Sequence, residues 1–158
     1  MKILQVSPTF YPALNVGGGV PRVTYELSRK LVENGHEVTV ITTDRFQEEC
    51  VDRNSAVDIE GVRTFYFNNL CRLFTKNKFY FSPKIIRFLK EEIQQFDIVH
   101  LQDFRTFQNI AAYYYTRKFD IPYVLQPHGS LQFLAEKQRL KQMYDIAYGD
   151  KMLLNASR

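Results

Sequence analysis

Short continuous apolar runs alternate along this chain with segments whose apolar residues recur every three or four positions. The first pattern belongs to strands buried on both faces and the second to amphipathic helices. Their alternation predicts βαβ units around a parallel sheet. Strands are predicted at Lys2–Val6, Glu37–Thr43, Val62–Phe67, Asp97–Leu101 and Tyr123–Gln126. A helix is predicted from Val20, with Pro21 in a first turn that needs no proline N–H and Asn34-Gly35 as its stop. Its expected apolar stripe is Val20, Val23, Leu27 and Leu31, with Arg22, Glu26, Arg29, Lys30 and Glu33 mostly opposite. Ser82-Pro83 reads as a cap and first-turn proline ahead of an apolar face of Ile85, Ile86, Leu89 and Ile93. Residues 106–118 and about 132–148 are also predicted helical, and 44–60, a polar stretch with Glu48, Glu49, Asp52, Asp58 and Glu60, read as a loop or hairpin insertion. Lys151 to Arg158 has the character of a helix end leading toward another strand.

The fold class that follows is α/β, a Rossmann-like parallel sheet with helices on both faces. The length of 158 residues, 45% hydrophobic and 24% charged, suits one domain spanning 1–158. A net charge of +4 favours anionic ligands without naming one. Cys50 and Cys71 make neither a disulfide framework nor a metal-ligand spacing, so a reducing compartment is expected. The opening MKILQVSPTF has its apolar run broken by Gln5 and does not read as a signal peptide. No run approaches the ~18 apolar residues of a membrane-spanning helix. The expectation is a cytoplasmic protein.

Candidate chemistry gathers where strands end. Gly17, Gly18 and Gly19 lie between the first strand and the first helix. Glycines let backbone approach closely, and the free N–H groups of a helix start favour an anion such as a diphosphate. The alternative is a plain turn. The P-loop Gly-Lys-Ser/Thr is absent, and Arg22 stands where a dinucleotide fingerprint starting at Gly17 needs its third glycine. Asp44, after the second strand, is where a ribose-binding acid could sit, but the glycine mismatch argues against a nicotinamide site. His36, between a helix stop and a strand, reads as a turn residue. His100 ends the fourth predicted strand, and His128-Gly129 follow the fifth. The carboxyl edge of a parallel sheet faces the ligand crevice, so both histidines and the glycine loop should converge there. His100 could equally be a satisfied core histidine. Three histidines and two distant cysteines do not form a metal site, and none is expected.

The ordered set Gly17-Gly18-Gly19-Val20-Pro21-Arg22, Leu27 through Leu31, Gly35-His36-Glu37-Val38-Thr39-Val40, Asp97-Ile98-Val99-His100, Pro122-Tyr123-Val124 and His128-Gly129 resembles the N-terminal domain of family 4 glycosyltransferases of the GT-B fold. The resemblance covers the whole chain, and Asn155-Ala156-Ser157 resembles the helix end before that domain's last strand, which would be lacking here. It implies a retaining hexosyltransferase that moves a sugar from a nucleotide-sugar to a glycan or lipid-linked acceptor, with no cofactor and no metal. It also implies a C-terminal donor-binding domain, with paired glutamates, that this sequence does not contain. The chain alone is therefore expected not to transfer sugar. Carried over by position, Gly17 to Gly19 would approach the donor diphosphate, and His128 would be catalytic, beside the transferred sugar. Arg22, His100 and Gly129 would line the donor side.

Between Leu70 and Lys90 six basic residues (Arg72, Lys76, Lys78, Lys84, Arg87 and Lys90) interleave with aromatic and aliphatic ones, and no acid intervenes. That composition suits peripheral contact with an anionic membrane, worth about 1 kcal/mol per basic residue. The alternative is an acceptor-side loop and an ordinary amphipathic helix. No helix-turn-helix, zinc or RNP pattern supports nucleic-acid binding. A sheet short of its last strand would expose an unpaired edge, so homo-oligomerisation is expected. The competing functional class is a non-catalytic Rossmann-like module that binds a nucleotide, a sugar or a protein.

Overall fold

The computed structural model describes residues 1–14, 19–44, 56–70, 81–130 and 142–156. It is an α/β fold around one six-stranded sheet. The strands are β1 (Lys2–Val6), β2 (Glu37–Thr43), β3 (Val57–Ile59), β4 (Val62–Phe67), β5 (Ile98–Gln102) and β6 (Tyr123–Gln126), in the order β3-β4-β2-β1-β5-β6. Every pairing is parallel except β3 with β4. That hairpin closes at Glu60-Gly61 between the paired Ile59 and Val62, so the polar insertion ends as an antiparallel edge on an otherwise parallel sheet. The helices are α1 (Val20–Glu33), α2 (Pro83–Glu92, continued by a 3-10 turn at Ile93–Gln95), α3 (Phe107–Phe119) and α4 (Asp150–Leu154). A π-helical turn, Asp145–Gly149, leads into α4.

Strand register sorts the core. Thr64, Val40, Gln5, His100 and Val124 lie in one row across the sheet, and Phe65, Ile41, Val6, Leu101 and Leu125 lie in the next, facing the other way. The second set packs with Ile85 and Leu89 of α2, Ala111, Ala112 and Tyr115 of α3 and Met152 of α4 into the main core. On the first face, α1 covers Val38, Val40 and Val62 with Tyr25, joined by Phe10.

Helices thus cover both faces, but the buried side of α1 differs from its apolar stripe. Pro21, Thr24, Tyr25 and Ser28 are buried, whereas Val23 is 41% exposed. Small and hydroxylated residues let the helix backbone lie close to the sheet, and Thr24 Oγ1 satisfies itself on Val20 O at 2.8 Å. The helix stop is a Schellman motif. His36 N donates to Leu31 O, Gly35 N donates to Val32 O, and Gly35 takes the left-handed φ of +83°. His36 is therefore the turn residue expected of it. Ser82 sits at the α2 N-cap position without a side-chain capping bond. Of the segment predicted helical over 132–148, residues 142–144 are helical and 131–141 lie outside the described residues.

Candidate functional site

β5 and β6 end side by side, with Gln102 and Gln126 as their last registered pair. Just beyond, the chain twice leaves ordinary geometry. Asp103 has φ +71°, His128 has φ +50°, and Gly129 follows at +82°. The left-handed region costs an L-residue roughly 1–2 kcal/mol, and it is natural only for the glycine. Local bonds hold both bends. Asp103 Oδ1 accepts from Phe104 N at 2.7 Å, and Asn109 Nδ2 donates to both Gln102 O and Asp103 O. Thr106 caps α3 by accepting from Asn109 N at 3.2 Å.

The His128 bend is fastened from the same loop. Arg105 Nη1 donates to Ser130 O, and Ser130 N and Oγ donate back to Pro127 O. The Arg105 guanidinium also grips Asp145 in a fork, Nε to Oδ1 at 3.0 Å and Nη2 to Oδ2 at 2.6 Å, with both side chains nearly buried. Such a planar two-bond pair fixes direction as well as distance. Tyr144 Oη donates to Phe104 O at 2.9 Å, which ties the π-helical turn to the same loop.

Beneath these bends, on the α1 face, lies a chain of amides and imidazoles. Gln102 is fully buried, and its side chain makes three contacts. Its Nε2 donates to Gln5 Oε1 at 2.8 Å and lies 3.2 Å from His100 Nδ1. Its Oε1 lies 2.6 Å from His128 Nε2. Gln5 is fully buried too, and its Nε2 finds no partner among the described residues. Burial lowers the pKa of His100 to about 4, helped by the neighbouring His128 and opposed by a hydrogen bond with the Gln126 side chain. Burial also lowers that of His128, while Asp103 pulls the other way. Both rings are therefore held toward the neutral form at pH 7, able to give and accept hydrogen bonds.

The sequence candidates distribute as follows. His128 and Gly129 stand at the carboxyl edge. β5 runs one residue further than expected, to Gln102, so His100 is its central residue and stands within the network rather than at its rim. Gly19 is the N-cap of α1, and among the described residues no side chain caps that helix start. The parallel β1-α1-β2 connection brings that helix start to the same edge of the sheet. Arg22, in the first turn, is exposed. Gly17 and Gly18 lie outside the described residues, as do Cys50 and Cys71.

Asp44 is buried, and its Oδ1 accepts from Asn69 N at 2.9 Å while Asn69 Oδ1 accepts from Phe81 N. That carboxylate braces the connection after β4, which leaves the nicotinamide idea without its ribose acid. Sequence reasoning missed Gln5, Gln102, Arg105 and Asp145. For the glutamines a signal existed, because an amide stood at an inward position of a strand otherwise apolar.

Of the aromatic-basic stretch, residues 71–80 lie outside the described residues. In α2, Ile85 and Leu89 are fully buried and Arg87 pairs with Glu91 at 3.0 Å, so the apolar side of that helix is core. A groove of about 380 Å³ runs between α2 and β4 over Phe65, Phe67 and Phe88, on the sheet face opposite the histidines. No helix among the described residues is long and apolar enough to cross a membrane.

Comparison with known proteins agrees with this geometry. No curated protein sequence matches the chain. The family model described as Glycosyltransferase Family 4 matches residues 17–158, from the glycine loop through both strand ends to the last helix. With nearly the whole chain covered by that match and a Rossmann-like sheet beneath it, this protein belongs to glycosyltransferase family 4.

Proposed function

We propose that this chain is the acceptor-side domain of a retaining, nucleotide-sugar-dependent hexosyltransferase acting on a glycan or lipid-linked acceptor. His128 is the catalytic residue beside the transferred sugar, and Gly17, Gly18 and Gly19 with Arg22 approach the donor diphosphate. His100 stands behind His128, and Gly129 gives the turn its freedom. No metal or cofactor takes part, and a second, donor-binding domain completes the site. The protein works in the cytoplasm, in peripheral contact with the membrane where the acceptor is lipid-linked. It forms homo-oligomers.

The observation that carries this reading is the left-handed His128, held at the sheet edge by a buried hydrogen-bond network. Strain of this kind persists where the surrounding structure over-determines it, and it concentrates at functional sites. A neutral imidazole there suits a sugar hydroxyl, while a helix start whose N-cap, Gly19, carries no side chain suits a phosphate. Saturation-transfer NMR with UDP-, GDP- and ADP-hexoses tests it. At least one donor should receive saturation at its sugar protons, and His128→Ala should abolish that signal while leaving the fold intact. No transfer from any of the three would refute the donor-side assignment. Donor binding without hexosyl transfer, once a donor-binding domain and an acceptor are supplied, would favour the binding-module alternative.

A further inference from the structure

We infer that Gln102 is a positioning residue that sets the tautomers of both histidines, fixing His128 with its proton on Nε2 and its lone pair on Nδ1. This deepens the functional reading above, in which His128 is the residue beside the sugar.

The argument is one of donors and acceptors. A primary amide offers two N–H donors on nitrogen and lone pairs on oxygen. With Gln102 fully buried, water cannot supply what the protein withholds. Gln102 Nε2 donates one hydrogen to Gln5 Oε1 at 2.8 Å, so in this arrangement the amide nitrogen of Gln102 faces Gln5. Its second hydrogen faces the His100 ring, 3.2 Å from Nδ1 and 3.5 Å from Nε2, and the nearer Nδ1 is assigned the lone pair, which leaves the ring proton on Nε2. The opposite end, Oε1, can only accept, so the 2.6 Å contact with His128 requires a proton on Nε2 of that ring. Gln5, itself fully buried, orients Gln102, and Gln102 orients both rings.

The consequence is chemical selectivity. A neutral His128 with Nε2–H committed to Gln102 has only the Nδ1 lone pair left, so a group that it holds must donate a hydrogen. A hydroxyl or N–H qualifies, and a phosphate oxygen does not. No other side chain of similar size gives two donors and one acceptor here. Leucine removes all three bonds, and glutamate keeps the acceptor and loses the donors.

Long-range proton–nitrogen NMR on the ¹⁵N-labelled chain at neutral pH reads each ring nitrogen as protonated or bare. The expected result is Nε2–H for both His128 and His100. Nδ1–H on His128 in the unaltered protein would overturn the proposal without any variant. Q102L should convert His128 to a mixture of tautomers, and Q102E should preserve Nε2–H and raise the pKa of His128 by at least about one unit, a carboxylate favouring the charged ring. A folded Q102L with an unchanged tautomer would also overturn the proposal. If Q102L does not fold, the unaltered spectrum and Q102E decide. None of these readings needs a donor sugar or turnover, so failure of the sugar-transfer reading and failure of this one are separately visible.

Discussion

The two faces of the sheet come from the same strands and alternate residues, yet they are built on opposite principles. On one, Val6, Leu101, Ile41 and Leu4 meet α2, α3 and α4 in a core whose strand-borne side chains are apolar, with the buried amides Gln108 and Asn109 confined to the start of α3. On the other, a smaller apolar cluster under α1 occupies the β2–β4 side, and the β1–β5–β6 side carries Gln5, His100, Gln102 and Gln126. Neighbouring residues of β5 therefore do different work, with Leu101 anchoring the strand and Gln102 aiming the histidines. Polar groups buried this way contribute little net stability, but once satisfied they specify one arrangement.

The largest expected effect falls on the apolar face. Leu101→Ala should cost about 3–4 kcal/mol in urea unfolding, through lost burial and the cavity left behind. It should leave the His128 tautomer unchanged, and a cost below about 1 kcal/mol would deny that face its role. Next comes the Arg105–Asp145 pair. Asp145→Asn removes the carboxylate charge that the nearly buried Arg105 guanidinium grips and should cost about 2–3 kcal/mol. It should also broaden the His128 and Gly129 amide signals.

Acid should loosen the polar face selectively. The unfolded chain protonates His100 near its ordinary pKa of 6.5, whereas the folded chain resists protonation down to about 4. Unfolding takes up a proton in that window, so stability falls as pH drops from 6.5 to 4, by about 2 kcal/mol from this group. His100→Gln should remove that part of the slope when urea midpoints are compared at pH 7 and 4.5. An unchanged slope would place His100 in solvent. The smallest effect is expected at Val124, on the polar face and 37% exposed, where Val124→Thr should stay within about 0.5 kcal/mol.

Strand positions were legible because strands buried on both faces are short, apolar and abruptly bounded. Lys2–Val6, Glu37–Thr43, Val62–Phe67 and Tyr123–Gln126 stand where those runs predict. The buried side of α1 was not legible. Periodicity finds the apolar stripe, but close packing against the sheet selected Thr24 and Ser28 over Val23. His128-Gly129 could be found because a glycine after a strand marks an unusual turn. Gln5 and Gln102 could not be paired from sequence, since their partnership depends on β1 lying beside β5, ninety-seven positions apart in the chain. Arg105 and Asp145 escaped for the same reason, their bond spanning forty positions.

Amide chemical-shift mapping of the labelled chain with a nucleoside diphosphate-hexose tests the division between the faces most directly. A functional polar face predicts shifts concentrated at Gly19, Asp103, His128 and Gly129, with the α2 and α3 amides still. Shifts confined to the Phe65–Phe88 groove on the opposite face, or no shifts at any donor concentration, would contradict it.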